Sequence, residues 1–318
     1  MLDIALWYNF SMKILVTGGA GFIASNVVDA YIEAGHELAV LDNLSTGKRE
    51  NLNPQAKFFE VDITDKEKLA HVVTEFAPEI INHHAAQIDV RKSVEDPVYN
   101  AKVNELGTLN LLDAAVKAKV KKIIFSSTGG AIYGEVKKKS GADENHPQEP
   151  ISPYAITKRS AEMYLHSYKI NFGLNYTVLR YGNVYGPRQD PLGEAGVIAI
   201  FCGKIMAGEQ PTIYGDGNQL RDYVYVGDVA EANLLALSQG ENQIYNIGTG
   251  KGSSVNDLFA YLKEIYKFNN EAIYAPARAG ELFRSVLNCK KIKKELGWKA
   301  KTSIKKGLKL TVKWAKNK

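Results

Sequence analysis

The sequence predicts an α/β fold, a doubly wound parallel sheet of the Rossmann type with a smaller C-terminal substrate-binding lobe. Three observations carry this. Short apolar runs of strand length alternate with longer stretches of helical spacing through the first half of the chain. The first such run ends in a cluster of glycines, and the second ends in an aspartate about 20 residues further on. A chain of 318 residues is also long enough to bury a large core and to carry a second lobe.

Lys13-Ile14-Leu15-Val16-Thr17 reads as a buried parallel strand. Gly18, Gly19 and Gly21 then break the chain, and from Phe22 apolar residues recur at helical spacing until Gly35 ends the helix. A strand, a glycine turn and a helix N-terminus suit a pyrophosphate, because the helix end offers unpaired N–H groups and partial positive charge. Gly18 allows the turn, Gly21 lets the backbone approach the ligand, and small Ala24 lets helix and strand pack closely. Phe22 and Ile23, at the head of that helix, join the candidate cofactor contacts. The next strand ends in Asp42, whose carboxylate accepts from a ribose 2′-hydroxyl and repels a 2′-phosphate, so the expected cofactor is NAD and not NADP. Asn43 opens a turn-rich loop that lies beside the adenosine.

A third strand is expected over 57–61, followed by Asp62 and Ile63. Read alone, Asp62 caps the helix expected over 65–76. The fourth strand, 79–83, runs into His84-Ala85-Ala86-Gln87, whose small residues suit the wall of a pyrophosphate or nicotinamide-ribose site. His83 and His84 have no carboxylate or cysteine at ligand spacing, so a hydrogen-bonded structural pair is expected and no metal. A long amphipathic helix over 97–119 holds Asn104, and a fifth strand over 121–125 leads into Ser126-Ser127-Thr128.

The net charge is +5, but the lysine clusters lie apart along the chain, which fits a solvated surface and not a nucleic-acid partner. Cys202 and Cys289 follow no metal or redox spacing and read as reduced, buried thiols of a cytoplasmic protein. No apolar run approaches the length of a membrane span. Residues 1–11 make a poor signal peptide and are expected to form an extension ahead of the fold.

Ser152-Pro153-Tyr154-Ala155-Ile156-Thr157-Lys158 follows a charged, turn-rich loop. Tyr154 and Lys158 stand four apart and so share one helix face. A free phenol has a pKa of about 10, and a nearby ammonium favours the phenolate that a general base needs. The order of glycine turn, hydroxyl residues, tyrosine and lysine resembles the extended short-chain dehydrogenase/reductase family. The segments Leu179-Arg180-Tyr181-Gly182-Asn183-Val184-Tyr185-Gly186-Pro187, Arg221-Asp222-Tyr223 and Tyr245-Asn246-Ile247-Gly248 extend the resemblance to its nucleotide-sugar branch, closest to the UDP-hexose 4-epimerases.

The resemblance implies an NAD-dependent epimerase that inverts carbon 4 of a UDP-hexose through a 4-keto intermediate. Tyr154 is then the base, Lys158 binds the nicotinamide ribose and lowers the tyrosine pKa, and Thr128 hydrogen-bonds the reacting oxygen, with Ser127 in reserve. It gives Asp62 and Ile63 the adenine, and places Ala85, Ala86, Gln87, Asn104, Ser126 and Tyr181 around the cofactor. The UDP-sugar falls to Gln87, Thr128, Tyr154, Asn183, Tyr214, Arg221, Arg278, Glu281 and Ser285. The two arginines face the pyrophosphate, and Glu281 accepts from the uridine ribose. Ser285 occupies the place of a large aromatic residue, which leaves room for an N-acetyl sugar.

Gly129 and Gly130 stand where dehydratases and decarboxylases of this family carry acids, which favours epimerisation. A UDP-glucuronate epimerase or decarboxylase and a non-catalytic NAD-binding scaffold are the alternatives. Residues 12–182 are expected to form the NAD-binding domain, completed by segments within 223–250, and 183–318 mainly the substrate lobe. Homodimerisation is expected through the helices 97–119 and 152–172.

Overall fold

The sheet predicted from the alternating runs is present and has seven strands, all parallel. A computed structural model describes residues 11–192, 196–278 and 280–317. In chain order the elements are β1 (Lys13–Thr17), α1 (Phe22–Glu33), β2 (Glu37–Asp42), β3 (Lys57–Glu60), α2 (Lys66–Phe76), β4 (Ile80–His83), α3 (Val90–Glu95), α4 (Pro97–Ala101), α5 (Gly107–Lys117), β5 (Lys122–Thr128) and α6 (Pro153–Phe172). There follow β6 (Asn175–Tyr181), β7 (Asn183–Tyr185), α7 (Val197–Met206), β8 (Thr212–Tyr214), β9 (Leu220–Arg221), β10 (Tyr223–Tyr225), α8 (Val226–Ser238), β11 (Gln243–Ile247) and β12 (Ser253–Ser254). The last are α9 (Val255–Tyr266), β13 (Ile273–Ala275), β14 (Arg284–Ser285), α10 (Lys290–Leu296) and α11 (Ile304–Lys316).

The large sheet runs β11-β6-β5-β4-β1-β2-β3. The order reverses between β1 and β4, so the C-terminal ends of these two strands open a crevice, the usual ligand position in such sheets. Apolar residues on one face of the sheet pack with α1, α8 and the fully buried Trp298. Those on the other face pack with α2, α5 and α6. A separate apolar cluster joins α7, α9 and α11 around Phe201, Leu258 and Leu308. Each layer removes its apolar area from water, the main favourable term in folding.

Local differences from the sequence reading have local causes. The fifth strand extends to Thr128, because β6 pairs with it as far as Thr128 opposite Tyr181. The helix expected over 97–119 is divided by a π-turn at Lys102–Leu106. Within that turn the Asn104 side chain turns inward, accepting from the Gln87 backbone N–H at 2.8 Å and donating to the Gln87 carbonyl at 2.9 Å. The cap of α2 is Asp65 and not Asp62. Cys202 is buried but Cys289 only half so, and both thiols are free. The extension at residues 1–11 lies, except for Ser11, outside the described residues.

Candidate active site

The glycine turn is a bare backbone surface. Gly18 has φ +70°, and a β-carbon there would come 2.6 Å from the Ala85 backbone nitrogen. Gly21 caps α1 without a side-chain acceptor, so the first-turn N–H groups face the crevice unsatisfied by any cap. A β-carbon on Gly21 would stand 3.1 Å from the Gly18 carbonyl oxygen. Phe22 and Ile23 start the helix half-buried beside this turn, and Ala86 lies on the segment that leaves β4. The cradle fits a pyrophosphate at a helix N-terminus.

Asp42 sits at the end of β2, buried, where it accepts from the backbone N–H of Ala20 at 3.0 Å and of Leu44 at 2.8 Å. A carboxylate has about four acceptor positions, so two remain for ribose hydroxyls. Burial raises its pKa, and the two backbone bonds oppose the rise. Asn43 donates to Asp62 at 2.7 Å. Burial works to raise the Asp62 pKa, but its bonds from Thr64 and Asn43 outweigh this and hold it low. Ile63 is buried below them.

Both histidines are neutral. His83 lies between the hydroxyls of Thr17, at 2.7 Å, and Thr108, at 3.0 Å. Thr108 donates to the Asn104 carbonyl at 2.6 Å, so its oxygen receives the His83 Nε2 proton and the tautomer is set. His84 stacks on Tyr181 with ring centroids 6.1 Å apart. Burial first and the Lys158 charge second pull the His84 pKa down to about 3 and that of His83 well below its ordinary value. Among the described residues no group of histidines, cysteines and acids has the makings of a metal site.

The lysine and hydroxyl positions meet at the C-terminal end of β5, and the tyrosine lies one helical turn from the lysine. Ser152 caps α6 by accepting from Ala155 N–H at 3.3 Å, and Pro153 starts the helix. Tyr154 is half-buried at its first turn, and Lys158 stands one turn on, with its Nζ donating to the Ser126 carbonyl at 2.9 Å. Burial pulls the Lys158 pKa down to about 7, while the Glu162 carboxylate opposes the fall. The hydroxyl of Ser127 faces the interior and donates to Glu162 at 2.6 Å. That of Thr128 has no hydrogen-bond partner among the described residues and lies toward Asn183, since a β-carbon on the intervening Gly130 would be 3.9 Å from Thr128 Oγ1 and 3.3 Å from Asn183 Oδ1. Asn183 Oδ1 is itself buried and has no hydrogen-bond partner among the described residues.

Asn183 also lines a cavity of about 400 Å³. Its walls bring together Tyr214, Arg221, Arg278 and Glu281. The Arg278 guanidinium lies 3.8 Å from the centroid of the Tyr214 ring, a cation–π contact. Arg221 reaches toward Glu281 at 3.5 Å, and β9 holds it between β12 and β14. Ser285, opposite Arg221 in the β14–β9 ladder, is buried and donates to the Gly130 carbonyl at 3.1 Å. It therefore backs the Thr128–Gly130 segment and does not line the cavity.

Three of the expected contacts are turned inward. Asn104 engages Gln87 and, at 3.1 Å, Thr157. The Gln87 amide pairs with Asn100 and with the Asp89 carbonyl, and the Tyr181 hydroxyl meets Asn233 at 2.9 Å. Ser126 offers its carbonyl to Lys158. The sequence reading gave no role to Glu162, Arg180 or Thr157. Glu162 repeats the four-residue step from Tyr154 through Lys158, a signal present in the sequence.

A sequence model of the NAD dependent epimerase/dehydratase family matches residues 14–248. A putative UDP-glucose 4-epimerase of Methanocaldococcus jannaschii is 51% identical over 304 residues, which are 96% of this chain and 98% of that protein. The crystal structure of UDP-glucose 4-epimerase from Thermotoga maritima with UDP-glucose superposes with a TM-score of 0.94 at 53% identity, covering 96% of this chain and 99% of that one. The Thermus thermophilus UDP-glucose 4-epimerase in complex with NAD gives 0.92 at 49% identity, with the same coverage.

Proposed function

The chain belongs to the NAD dependent epimerase/dehydratase family, and from that premise we propose that it is an NAD-dependent epimerase inverting carbon 4 of UDP-hexoses, interconverting UDP-galactose and UDP-glucose. NAD is its cofactor. One observation carries the reaction: a buried lysine one helical turn behind a half-buried tyrosine is hung on β5, which lies in the sheet between β1 with its glycine turn and β6, whose end leads to Asn183 of the arginine-lined cavity. The residues of the glycine turn, with Asp42 and Lys158, would hold the dinucleotide.

Bound NAD supplies a reversible hydride acceptor at the sugar carbon. Tyr154 removes the proton of the 4-hydroxyl and later gives it back. Lys158 favours the phenolate and positions the nicotinamide ribose. Thr128 donates to the reacting oxygen with a hydroxyl that none of the described residues claims. Arg221, Arg278 and Asn183 hold the nucleotide diphosphate and Glu281 the uridine ribose, so the sugar is free to turn and present its other face. Gly129 and Gly130 leave no carboxyl beside Thr128 to drive an elimination, which supports epimerisation. A β-carbon on Gly129 would meet Leu287 at 2.7 Å, so no acid fits there without a shift.

The proposed domain division follows the two cores: residues 12–182 with β11 and α8 around the NAD crevice, and the later segments mainly around the cavity. The proposed assembly is a homodimer. Val98 on α4, Leu106 in the π-turn, and Ile156, Met163 and Ile170 on α6 are 49% to 77% exposed, and a second copy would cover them. Among the described residues no helix is long and apolar enough to cross a membrane; we place the protein in the cytoplasm. Incubation with UDP-galactose, followed by separation of the nucleotide sugars, tests the function: UDP-glucose forms with no added oxidant, and its absence overturns the proposal.

A further inference from the structure

Behind the hydroxyl, tyrosine and lysine lies a buried ion pair that the reaction as described does not use. Glu162 is 2% exposed and stands on α6 one turn beyond Lys158 and two beyond Tyr154. Its Oε1 accepts from the Ser127 hydroxyl at 2.6 Å and from Arg180 Nε at 2.9 Å. Its Oε2 accepts from Arg180 at 2.5 Å and from Arg159 at 3.3 Å. Arg180, fully buried on β6, donates onward to the Tyr133 hydroxyl at 2.8 Å, and Tyr133 donates to Asn246 at 2.8 Å. Helix α6 thus grips two successive residues of β5, Ser126 through Lys158 and Ser127 through Glu162, immediately before Thr128.

Fully buried pairs of this kind are often no more stabilising than apolar residues of the same shape, so stability alone is a weak reason for one here. The placement suggests a different use. We propose that Glu162 is a positioning residue for the reaction: it fixes the β5 end that presents Thr128 against the helix that presents Tyr154, and keeps a negative charge one turn behind Lys158.

The surroundings of Lys158 leave Glu162 as the group that sustains its ammonium. From β4 it faces His83 and His84, both neutral, and from β5 the Ser126 carbonyl and the Phe125 ring, 4.8 Å away. Arg180 on β6 and Arg159 on α6 lie beyond Glu162 and are paired with it. Removing the carboxylate charge would leave Lys158 with cations and neutral groups as neighbours. It would then lose its proton at a lower pH, and Tyr154 would lose its cationic neighbour there.

The inference rests on the roles given above to Tyr154, Lys158 and Thr128, so the experiment includes Tyr154→Phe. Steady-state kinetics with UDP-galactose across pH are measured for the NAD-loaded wild type and for Y154F, S127A, E162Q and E162D. Y154F is expected to be inactive, and a Y154F enzyme of wild-type rate would overturn the catalytic assignment itself. With Y154F inactive, S127A is expected to lower kcat by about tenfold or more with KM unchanged, since misplacement by about 1 Å costs up to about a hundredfold. E162Q is expected to move the alkaline limb of the kcat profile toward lower pH, while E162D, which keeps the charge, leaves the limb in place and lowers kcat. Wild-type kcat in S127A, or an E162Q limb identical to that of the wild type, overturns the inference. Should E162Q fail to fold with Arg180 left unpaired, the S127A result decides.

Discussion

The Lys158 ammonium hangs from the Ser126 carbonyl at 2.9 Å, so the lysine is fastened to the strand that carries the candidate hydroxyl donor. This link makes the relative position of helix and strand a property of the core and not of a mobile loop. It also puts a cation where burial disfavours it.

Stability is expected to depend on pH through Lys158. Burial lowers the Lys158 pKa from its ordinary value of 10.5 to about 7. Between these values the unfolded chain binds more protons than the folded one, so this group's contribution to stability rises with pH from about 7 to about 10.5. Denaturation of the cofactor-free wild type and of Lys158→Met, followed across that window, should give a steeper rise for the wild type. Lys122, lowered to about 8 by burial, acts in the same direction in both proteins and cancels in the difference. Equal slopes would contradict the burial argument.

Thr128→Ala tests the choice between neighbouring hydroxyls. Loss of one donor aimed at a reacting oxygen lowers kcat by about a hundredfold. KM for UDP-galactose is expected to stay within about twofold, because the nucleotide anchors are untouched. A wild-type kcat would remove Thr128 from the reaction.

Much of this arrangement was legible in the sequence, and for physical reasons. The glycine turn and Asp42 depend on local backbone chemistry, which spacing reveals. The sheet follows from apolar runs of strand length, and Tyr154 with Lys158 from a four-residue step. Counting along the fifth strand points to Thr128 with Ser127 in reserve, but it does not show that Glu162, a partner 35 residues away, occupies the Ser127 hydroxyl. The inward turn of Asn104 and the π-turn around it depend on a contact with Gln87, across 17 residues. Arg180 lies inside the family-like segment 179–187, yet its burial and its pairing with Glu162 are tertiary facts.

Arg278→Lys tests the stacked arginine. A lysine keeps the charge but loses both the planar fork and the close stacking on Tyr214. KM for UDP-galactose is expected to rise about tenfold, equivalent to about 1.4 kcal/mol, with kcat nearly unchanged. A fall in kcat at constant KM would place Arg278 in the chemical step instead.

We propose that sugar selectivity depends on the size of residue 285. Ser285 lies behind the Thr128–Gly130 segment, its hydroxyl on the Gly130 carbonyl at 3.1 Å, where a large aromatic side chain would press that segment toward a bound sugar. UDP-N-acetylglucosamine is therefore expected to turn over alongside UDP-galactose, and Ser285→Tyr to remove the first activity more than the second. No conversion of the N-acetyl sugar by the wild type, in a preparation active on UDP-galactose, would refute this expectation.

The most direct measurement follows a label at carbon 4. UDP-galactose carrying deuterium at that carbon is incubated with the NAD-loaded protein in ordinary water, and the UDP-glucose formed is analysed by mass and by proton resonance. The account predicts product that keeps the deuterium at carbon 4, with Tyr154→Phe giving no product. Product that has exchanged this deuterium for solvent hydrogen, or full activity in the phenylalanine variant, would contradict it.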